Sequence, residues 1–406
     1  MLEIKKRNLI FIIVVALIAG SAGTGGFLYA AVIPKEAPGH QITGEQYEEY
    51  QYYKNTYGRL DEMKKMVAAN FYEKVSDEDL ITGIYRGLFA GTGDIFSGYY
   101  TKNEYESLMT STIGEYSGIG VTIAPDERGY IVVIAPTQGT PADRAGIKSE
   151  DKIIKVDGKD YTGATIDAAA SAMRGKAGTK VKVTILRASD GTEKTLDLRR
   201  ETITEKTVYP KMLEDNIGYI RISSFEMKTG KDFEKAFHDM EVKGVSGAVI
   251  DLRDNPGGLV DSSVEIGDLL LPEATIAYTQ TQDGEKYYYK SDSKSTSLPY
   301  VILINGGSAS ASEILACAVQ DNKGGNLVGT KTFGKGIIQE VNQFADGGGD
   351  GYKLTTMQYF SPNGNVIQKQ GVTPDYVVEL SEEDYNEDGE LINDKQLDKA
   401  IELLKK

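Results

Sequence analysis

Three serines stand at alternate positions in the run Asn-Gly-Gly-Ser-Ala-Ser-Ala-Ser at residues 305–312, and an apolar stretch with helical spacing follows them. A serine hydroxyl in a glycine loop before a helix is suited to nucleophilic attack, because backbone N–H groups there can stabilise a developing oxyanion. Ser310 with Glu313 also has the spacing of a capping box, so a structural role at the start of the helix is the alternative. Spacing alone does not choose among Ser308, Ser310 and Ser312.

A nucleophilic serine needs a base, and the chain offers only two histidines. His40 follows an apolar N-terminal stretch and His238 lies on a predicted charged helix, so we expect both to be solvated. A lysine can serve instead where an apolar, water-poor pocket lowers its pKa toward the working pH. Lys335 is the candidate, because residues 332–338 contain no other charge. Gln339, four residues further on, could hydrogen-bond the lysine amine.

Lys335 also completes the spacing Gly-x-x-x-x-Gly-Lys, which begins a phosphate-binding loop. Gly336 stands where that loop requires Ser or Thr to hold magnesium, and residues 337–341 alternate like a strand. The sequence therefore disfavours nucleotide binding.

Two loops rich in glycine follow apolar runs that are typical of buried strands, at residues 253–258 and 305–307. In an open α/β sheet, ligands bind at the carboxyl ends of the strands. We therefore expect the serines and the Asn-Pro-Gly-Gly sequence at 255–258 to meet at one site.

The overall composition is that of a folded protein of two or three domains, with 406 residues and a formal net charge of −15. That charge argues against a nucleic-acid partner, because phosphate binding needs clustered Lys and Arg. The single cysteine, Cys317, excludes an internal disulfide and every multi-cysteine zinc pattern. Because it lies in the apolar run after the serines, we expect it in the core.

The N-terminus predicts a membrane segment, because Lys5, Lys6 and Arg7 precede an uncharged stretch at residues 8–33 that is long enough to cross a bilayer. Small residues at 20–22 make a cleaved signal peptide the alternative. We favour a retained, single-pass anchor in the cell membrane, with the catalytic part on the extracytoplasmic side.

The remaining pattern predicts an α/β (α+β) multidomain chain. Residues 1–34 would form the cytoplasmic tail and anchor, 35–110 a helical segment, 111–200 a β-rich domain, and 201–406 a core of alternating strands and helices. In the helical segment, Tyr47, Tyr50, Tyr53 and Tyr57 recur on one face. This face predicts either docking against the rest of the chain or contact with a second copy in a homo-oligomer.

The order of these motifs resembles that of the carboxyl-terminal processing, or tail-specific, serine proteases, over about residues 95–406. The matching motifs are Tyr-Ser-Gly-Ile-Gly-Val at 116–121, Thr-Pro-Ala-Asp-Arg-Ala-Gly-Ile at 140–147, Lys-Val-Asp-Gly at 155–158, Asp-Leu-Arg-Asp-Asn-Pro-Gly-Gly at 251–258, the serine block at 307–313, Phe-Gly-Lys-Gly at 333–336 and Gly-Val-Thr-Pro-Asp at 371–375. The resemblance implies a PDZ-like domain at 111–200 and a crotonase-like α/β protease core.

The resemblance also implies the roles of individual residues. Ser310 would be the nucleophile, Lys335 the general base and Gln339 its partner. For the oxyanion hole it implies the N–H of Ala311 and a glycine N–H of the Asn-Pro-Gly-Gly loop, for which we choose Gly257 over Gly258. In the PDZ-like domain, Gly118, Ile119, Gly120 and Val121 would bind the C-terminal carboxylate of a peptide.

We therefore expect a membrane-anchored serine endopeptidase with a Ser/Lys dyad, acting on protein or peptide substrates that have apolar C-termini. This chemistry needs no metal and no cofactor. One alternative is a catalytically silent PDZ adaptor that captures C-termini. A second is acyl-CoA chemistry on a crotonase-like core, which the exported N-terminus argues against.

Overall fold

The computed structural model describes residues 42–113, 115–345 and 347–405, and these divide after Ile81 into two compact units. The predicted membrane segment at 8–33 lies outside the described residues. Within the described ranges, no helix combines the length and the apolar character needed to cross a membrane.

The first unit is dominated by helix α1, Gly44–Asn70. The next helix, α2, Asp77–Ala90, begins in the first unit and continues into the second. Helix α1 begins with a capping box, whose Thr-x-x-Gln spacing is visible in the sequence: Gln46 N–H donates to Thr43 Oγ1 at 3.2 Å, and Thr43 N–H donates to Gln46 Oε1 at 2.9 Å. The four tyrosines of the predicted face are 50–54% exposed. Their predicted role in docking or in an oligomer stays a prediction.

The second unit begins with short elements and a small antiparallel sheet. Its elements are β1 Gly98–Tyr100, α3 Lys102–Ile113, β2 Glu115–Gly118, β3 Val121–Pro125, β4 Ile131–Pro136, α4 Pro141–Arg144, β5 Lys152–Val156, β6 Lys159–Asp160, α5 Ile166–Met173, β7 Lys180–Leu186, β8 Glu193–Arg199 and β9 Glu201–Thr204. Strands β3-β4-β5-β7-β8 form the sheet in that order, with β6 beside β5. This is the β-rich domain that the alternating pattern predicts, and β3 lies at its edge.

The larger part of the second unit is an α/β core. Its elements are β10 Val208–Met212, β11 Ile217–Ile222, α6 Thr229–Val242, β12 Gly247–Asp251, α7 Val260–Leu270, β13 Thr275–Thr281, β14 Lys286–Lys290, β15 Tyr300–Ile304, α8 Ala311–Asp321, β16 Asn326–Gly329, β17 Ile337–Gln343, β18 Gly351–Phe360, β19 Tyr376–Val377 and α9 Lys395–Leu404. One sheet has the order β10-β11-β12-β15-β16-β19 and is parallel from β11 onward, as predicted; β10 is antiparallel.

Helices cover both faces of this sheet, and the strand sequences show why. Residues of β12 and β15 are buried throughout, so these strands are apolar on both sides. Ile250 and Ile302 face the cluster formed with α6, α7 and α8, whereas Val249 and Val301 face the cluster formed with α9. The sheet is therefore fixed from both sides, and the loops at its carboxyl ends start from rigid strands.

A second, antiparallel sheet contains β1-β18-β13-β14, with β17 beside β18. Of the strands in this sheet, only β17 was predicted from the sequence. Strand β17 follows Lys335 directly and contains Gln339, so this sheet positions the predicted base, whereas the parallel sheet positions the serines.

The turn between β15 and α8 places Ser310 in an unusual backbone conformation, with φ 55° and ψ −113°. For a residue with a side chain this conformation costs on the order of 1–3 kcal/mol. The turn is held by the neighbouring loop after β12: Ala309 N–H donates to Asn255 O at 3.0 Å, and Asp254 N–H donates to Asn305 Oδ1 at 2.9 Å. The surrounding structure therefore imposes the conformation at Ser310.

This strain predicts that Ser310→Gly is more stable than Ser310→Ala by about 1 kcal/mol, because only glycine adopts this conformation freely. Calorimetry of the two variants should show a difference in Tm of about 1–2 °C for a chain of this length. The matched control is the same pair of substitutions at Ser312, which lies within helix α8. There the Ser312→Gly variant should be less stable than the Ser312→Ala variant. Equal stability of the two Ser310 variants would contradict the assignment of strain.

Candidate active site

The structure separates the three serines by what their hydroxyls contact. Ser308 Oγ donates to Leu252 O at 2.8 Å and Ser312 Oγ donates to Asn255 O at 2.9 Å, and both residues are fully buried. These two serines therefore tie the serine loop to the loop after β12. Ser310 is 9% exposed and lines a cavity, so its hydroxyl is the one a substrate can reach.

The cavity has a volume of about 510 Å³ and brings together residues from both sheets. Ser310, Lys335, Gln339 and Gly257, all predicted from the sequence, lie on its wall. Apolar and aromatic side chains complete much of the lining, among them Leu108, Phe225, Leu259, Val260, Tyr289, Ile337, Ile338 and Val341. A cavity with an apolar wall and a few convergent polar groups is typical of a substrate site.

Lys335 is half-buried, and its pKa is lowered by burial and by the charge of Lys353, against the opposing effects of Asp94 and Glu313. Its Nζ lies 4.7 Å from the centroid of the Phe96 ring. Within the described part of the chain, no hydrogen bond joins this amine to Ser310 Oγ. The environment therefore makes the neutral amine easier to form than in an ordinary lysine, while the side chain points at the aromatic ring.

The Glu313 carboxylate connects the serine loop to the lysine loop. It is fully buried in α8 and accepts four hydrogen bonds. Its Oε2 accepts from the backbone N–H of Ser310 at 2.8 Å and of Lys335 at 2.9 Å, and its Oε1 accepts from Thr332 Oγ1 at 2.6 Å and Gly334 N–H at 2.7 Å. The predicted capping interaction is present, but the same carboxylate also fixes the backbone of the predicted base.

Tyr359 of β18 forms a second bridge between the two loops. Its fully buried hydroxyl contacts Lys335 O at 2.5 Å and Ser310 O at 3.1 Å, donating to both carbonyls. Burial raises its pKa well above the ordinary value, so the group remains a donor. Tyr359 could not be identified from the sequence, because only the pairing of β17 with β18 places it here.

The predicted oxyanion donors lie beside Ser310. Ala311 is the first residue of α8, so its N–H has no carbonyl acceptor within the helix. Gly257 has φ 100°, and a Cβ there would lie 2.8 Å from Ser310 Cβ and 3.0 Å from Ala311 N, so only glycine fits. The Gly257 N–H donates to Asn255 Oδ1 at 2.9 Å in this structure.

A second cavity, of about 380 Å³, lies in the small β-rich domain between strand β3 and helix α5. Gly118, Ile119, Gly120 and Val121, to which the resemblance assigns carboxylate binding, line it, and that role stays a prediction. Thr140 packs so closely against Gly120 that a Cβ there would lie 2.4 Å from the threonine Cβ. Because β3 is an edge strand, an extended peptide can add beside it.

We expect Glu313→Gln to lower the free energy of unfolding by about 2 kcal/mol or more, because the amide would turn an NH₂ group toward two buried donors. Thermal unfolding measures this loss. The control is Glu201→Gln, which removes an exposed ion pair with Arg144 and should cost no more than about 1 kcal/mol. If the two variants lose the same stability, Glu313 does not connect the loops as described.

Two domain profiles and one solved structure match this chain. A profile of Peptidase family S41 matches residues 216–378, and a PDZ domain profile matches residues 107–186. The photosystem II D1 C-terminal processing protease structure aligns over 83% of this chain and 94% of its own, with 28% identity and a TM-score of 0.48.

Two curated relatives match over most of the chain. The carboxy-terminal processing protease CtpA of Bacillus subtilis is 34% identical over 326 residues, which are 80% of this chain and 69% of the relative. The carboxyl-terminal-processing protease of Synechocystis sp. is 38% identical over 298 residues, 72% of this chain and 69% of the relative. The chain therefore belongs to the carboxy-terminal processing proteases of Peptidase family S41, serine-type peptidases with a PDZ domain.

Proposed function

We propose that this chain is an endopeptidase in which Ser310 and Lys335 form the catalytic dyad and the PDZ domain selects substrates by their C-terminal tails. The observation that supports the dyad most directly is the shared Glu313 carboxylate: one oxygen accepts from the backbone N–H groups of both Ser310 and Lys335. The two side chains consequently line one cavity. The adaptor and acyl-CoA alternatives are set aside, because the family is one of serine-type peptidases.

In the proposed reaction, the neutral amine of Lys335 takes the proton from Ser310 Oγ as this oxygen attacks the peptide carbonyl carbon. The amine then gives the proton to the leaving nitrogen, and an acyl-enzyme forms on Ser310. Water, deprotonated by the same amine, releases the new C-terminus and restores the serine. Each step uses only groups of the protein, the peptide and water.

The oxyanion formed in both steps is stabilised by the N–H of Ala311 and a glycine N–H of the 255–258 loop. Gly257 is our choice, because its Cα lies against Ser310 and Ala311. For this role its N–H must leave Asn255 Oδ1 for the oxyanion. The Lys335 side chain must likewise rotate from Phe96 toward Ser310 before attack.

We place the enzyme at the cell membrane with its catalytic part extracytoplasmic. Support for this location is the basic start and the uncharged stretch at residues 8–33. Substrates would be proteins whose apolar C-terminal residues enter the cavity beside β3 as an added strand, with the carboxylate at Gly118, Ile119 and Gly120.

The dyad predicts a distinct pattern of activity loss. With the soluble chain from residue 35 onward and a loosely folded substrate with an apolar tail, Ser310→Ala and Lys335→Ala should lose at least about 100-fold in kcat/KM. Ser308→Ala, which removes only a structural hydroxyl, should still cleave. Cleavage by Ser310→Ala would show that the nucleophile is misassigned.

The pH profile of the wild type should follow the lysine. Since burial lowers the pKa of Lys335 below its ordinary 10.5, the active neutral form appears as pH rises through that lowered pKa. We therefore expect kcat/KM to rise between about pH 6 and 10, measured by mass spectrometry of the products. A rate that falls over this range would exclude a lysine base.

Tail recognition predicts that the free carboxylate matters. The Ser310→Ala variant should bind a peptide with an apolar C-terminus at least about tenfold more tightly than the same peptide amidated at its end, because the amide cannot accept the loop N–H groups as a carboxylate does. Calorimetric titration of both peptides gives the comparison. Equal affinities would remove the carboxylate from the recognition.

A further inference from the structure

Residues 94–97, which precede β1, reach the active site from outside both matched profiles, which cover 107–186 and 216–378. Asp94 Oδ2 accepts from Thr355 Oγ1 and from Ser97 Oγ, both at 2.6 Å, and Asp94 Oδ1 accepts from the Phe96 N–H at 3.1 Å. The Phe96 ring is the one that contacts the Lys335 amine. This short segment therefore contacts the predicted base and, through Thr355, its partner.

The ionised state of Asp94 determines which groups in this network donate hydrogen bonds and which accept them. Burial opposes ionisation of this carboxyl, but hydrogen bonds from Ser97, Thr355 and the Phe96 N–H outweigh it, and its pKa lies below the ordinary value. An ionised carboxylate can only accept. Thr355 must therefore donate its single hydroxyl hydrogen to Asp94.

With its hydrogen committed, Thr355 can only accept from its other neighbour. That neighbour is Gln339 of β17, whose Nε2 lies 3.1 Å from Thr355 Oγ1. The amide nitrogen of Gln339 is consequently held at Thr355, and the carbonyl Oε1 is the end left for other partners. Gln339 lines the same cavity as Lys335 and Ser310.

We propose that Asp94 and Thr355 are positioning residues, which fix the Gln339 amide so that Oε1 is the atom presented to the Lys335 amine. The inference rests on the proposed dyad. An accepting Oε1 takes an N–H of the neutral amine and leaves its lone pair directed at Ser310. A reversed amide would present N–H groups, which would bind that lone pair and compete with the serine proton.

Several charges act on Lys335, and each bears on the test. Lys353 lowers its pKa, whereas Asp94 and Glu313 raise it; Glu226 and Asp261 also line the cavity. Removing the Asp94 charge therefore lowers the pKa of Lys335, so the neutral amine forms at lower pH. Losing the Oε1 acceptor acts in the same direction, because that acceptor stabilises the ammonium.

The test compares four variants of the full chain, assayed for kcat/KM against pH with the tail-bearing substrate. Thr355→Val removes the hydroxyl and Thr355→Ser keeps it. Asp94→Asn removes the carboxylate that obliges Thr355 to donate its hydroxyl hydrogen. Thr356→Val is the matched control, since this adjacent threonine has a buried Oγ1 with no hydrogen-bond partner in the described part of the chain.

We expect Thr355→Val to lose at least about tenfold in maximal kcat/KM, with the rising part of the profile shifted to lower pH. Asp94→Asn should show the same shift. Thr355→Ser should stay within about threefold of the wild type, and Thr356→Val should match the wild type in both activity and profile.

The inference is overturned if Thr355→Val behaves as Thr356→Val does. It is also overturned if Thr355→Val loses activity with an unmoved profile, since a merely structural role predicts that result. Failure of the dyad itself is seen separately, as cleavage by Ser310→Ala or Lys335→Ala. The two hypotheses can therefore fail independently.

Discussion

The buried carboxylate of Glu313 is the constraint on which the site depends. Burying a carboxylate in an apolar interior costs free energy unless hydrogen-bond donors surround it. Four donors offset this cost for Glu313. Two of those donors are the backbone N–H groups of Ser310 and Lys335, which come from different loops. The need to satisfy one buried charge thus determines the distance between the backbones of the proposed nucleophile and the proposed base.

The two sheets supply the site in complementary ways. The parallel sheet, buried on both faces, ends in the loops that contain Gly257 and Ser310, and these loops are joined by direct hydrogen bonds. The antiparallel sheet supplies Gln339 from β17 and Tyr359 from β18. The cavity lies where the two sheets meet, so neither sheet alone would form this site.

Much of this arrangement could be predicted from the sequence, because the signals were local. The strand that ends at Ile304 and the Thr43 capping box follow from short patterns. An uncharged neighbourhood identified Lys335, and burial does lower its pKa. The choice of Ser310 over its neighbours needed the family resemblance, since the three hydroxyls differ only in contacts to a loop about 55 residues away in the chain.

The contributions of Tyr359, Thr355 and Asp94 were beyond prediction for a physical reason. Strand β18 pairs with β17, β13 and β1, so its register depends on partners far apart in the chain. Glu313 was assigned only to a cap, because its other three donors lie in residues 332–335. Polar partners that meet through tertiary pairing leave no periodic signal in a single sequence.

Fixing both backbones leaves the proposed dyad one main freedom, the rotation of the lysine side chain between Phe96 and Ser310. Rotamer changes of exposed side chains take picoseconds to nanoseconds, whereas enzymes turn over about 1–10³ times per second. Even if partial burial slows the rotation a thousandfold, the amine exchanges positions many times within one catalytic cycle. The rate of cleavage then depends on the fraction of time that the amine spends at the serine, which is an equilibrium population and not a kinetic barrier.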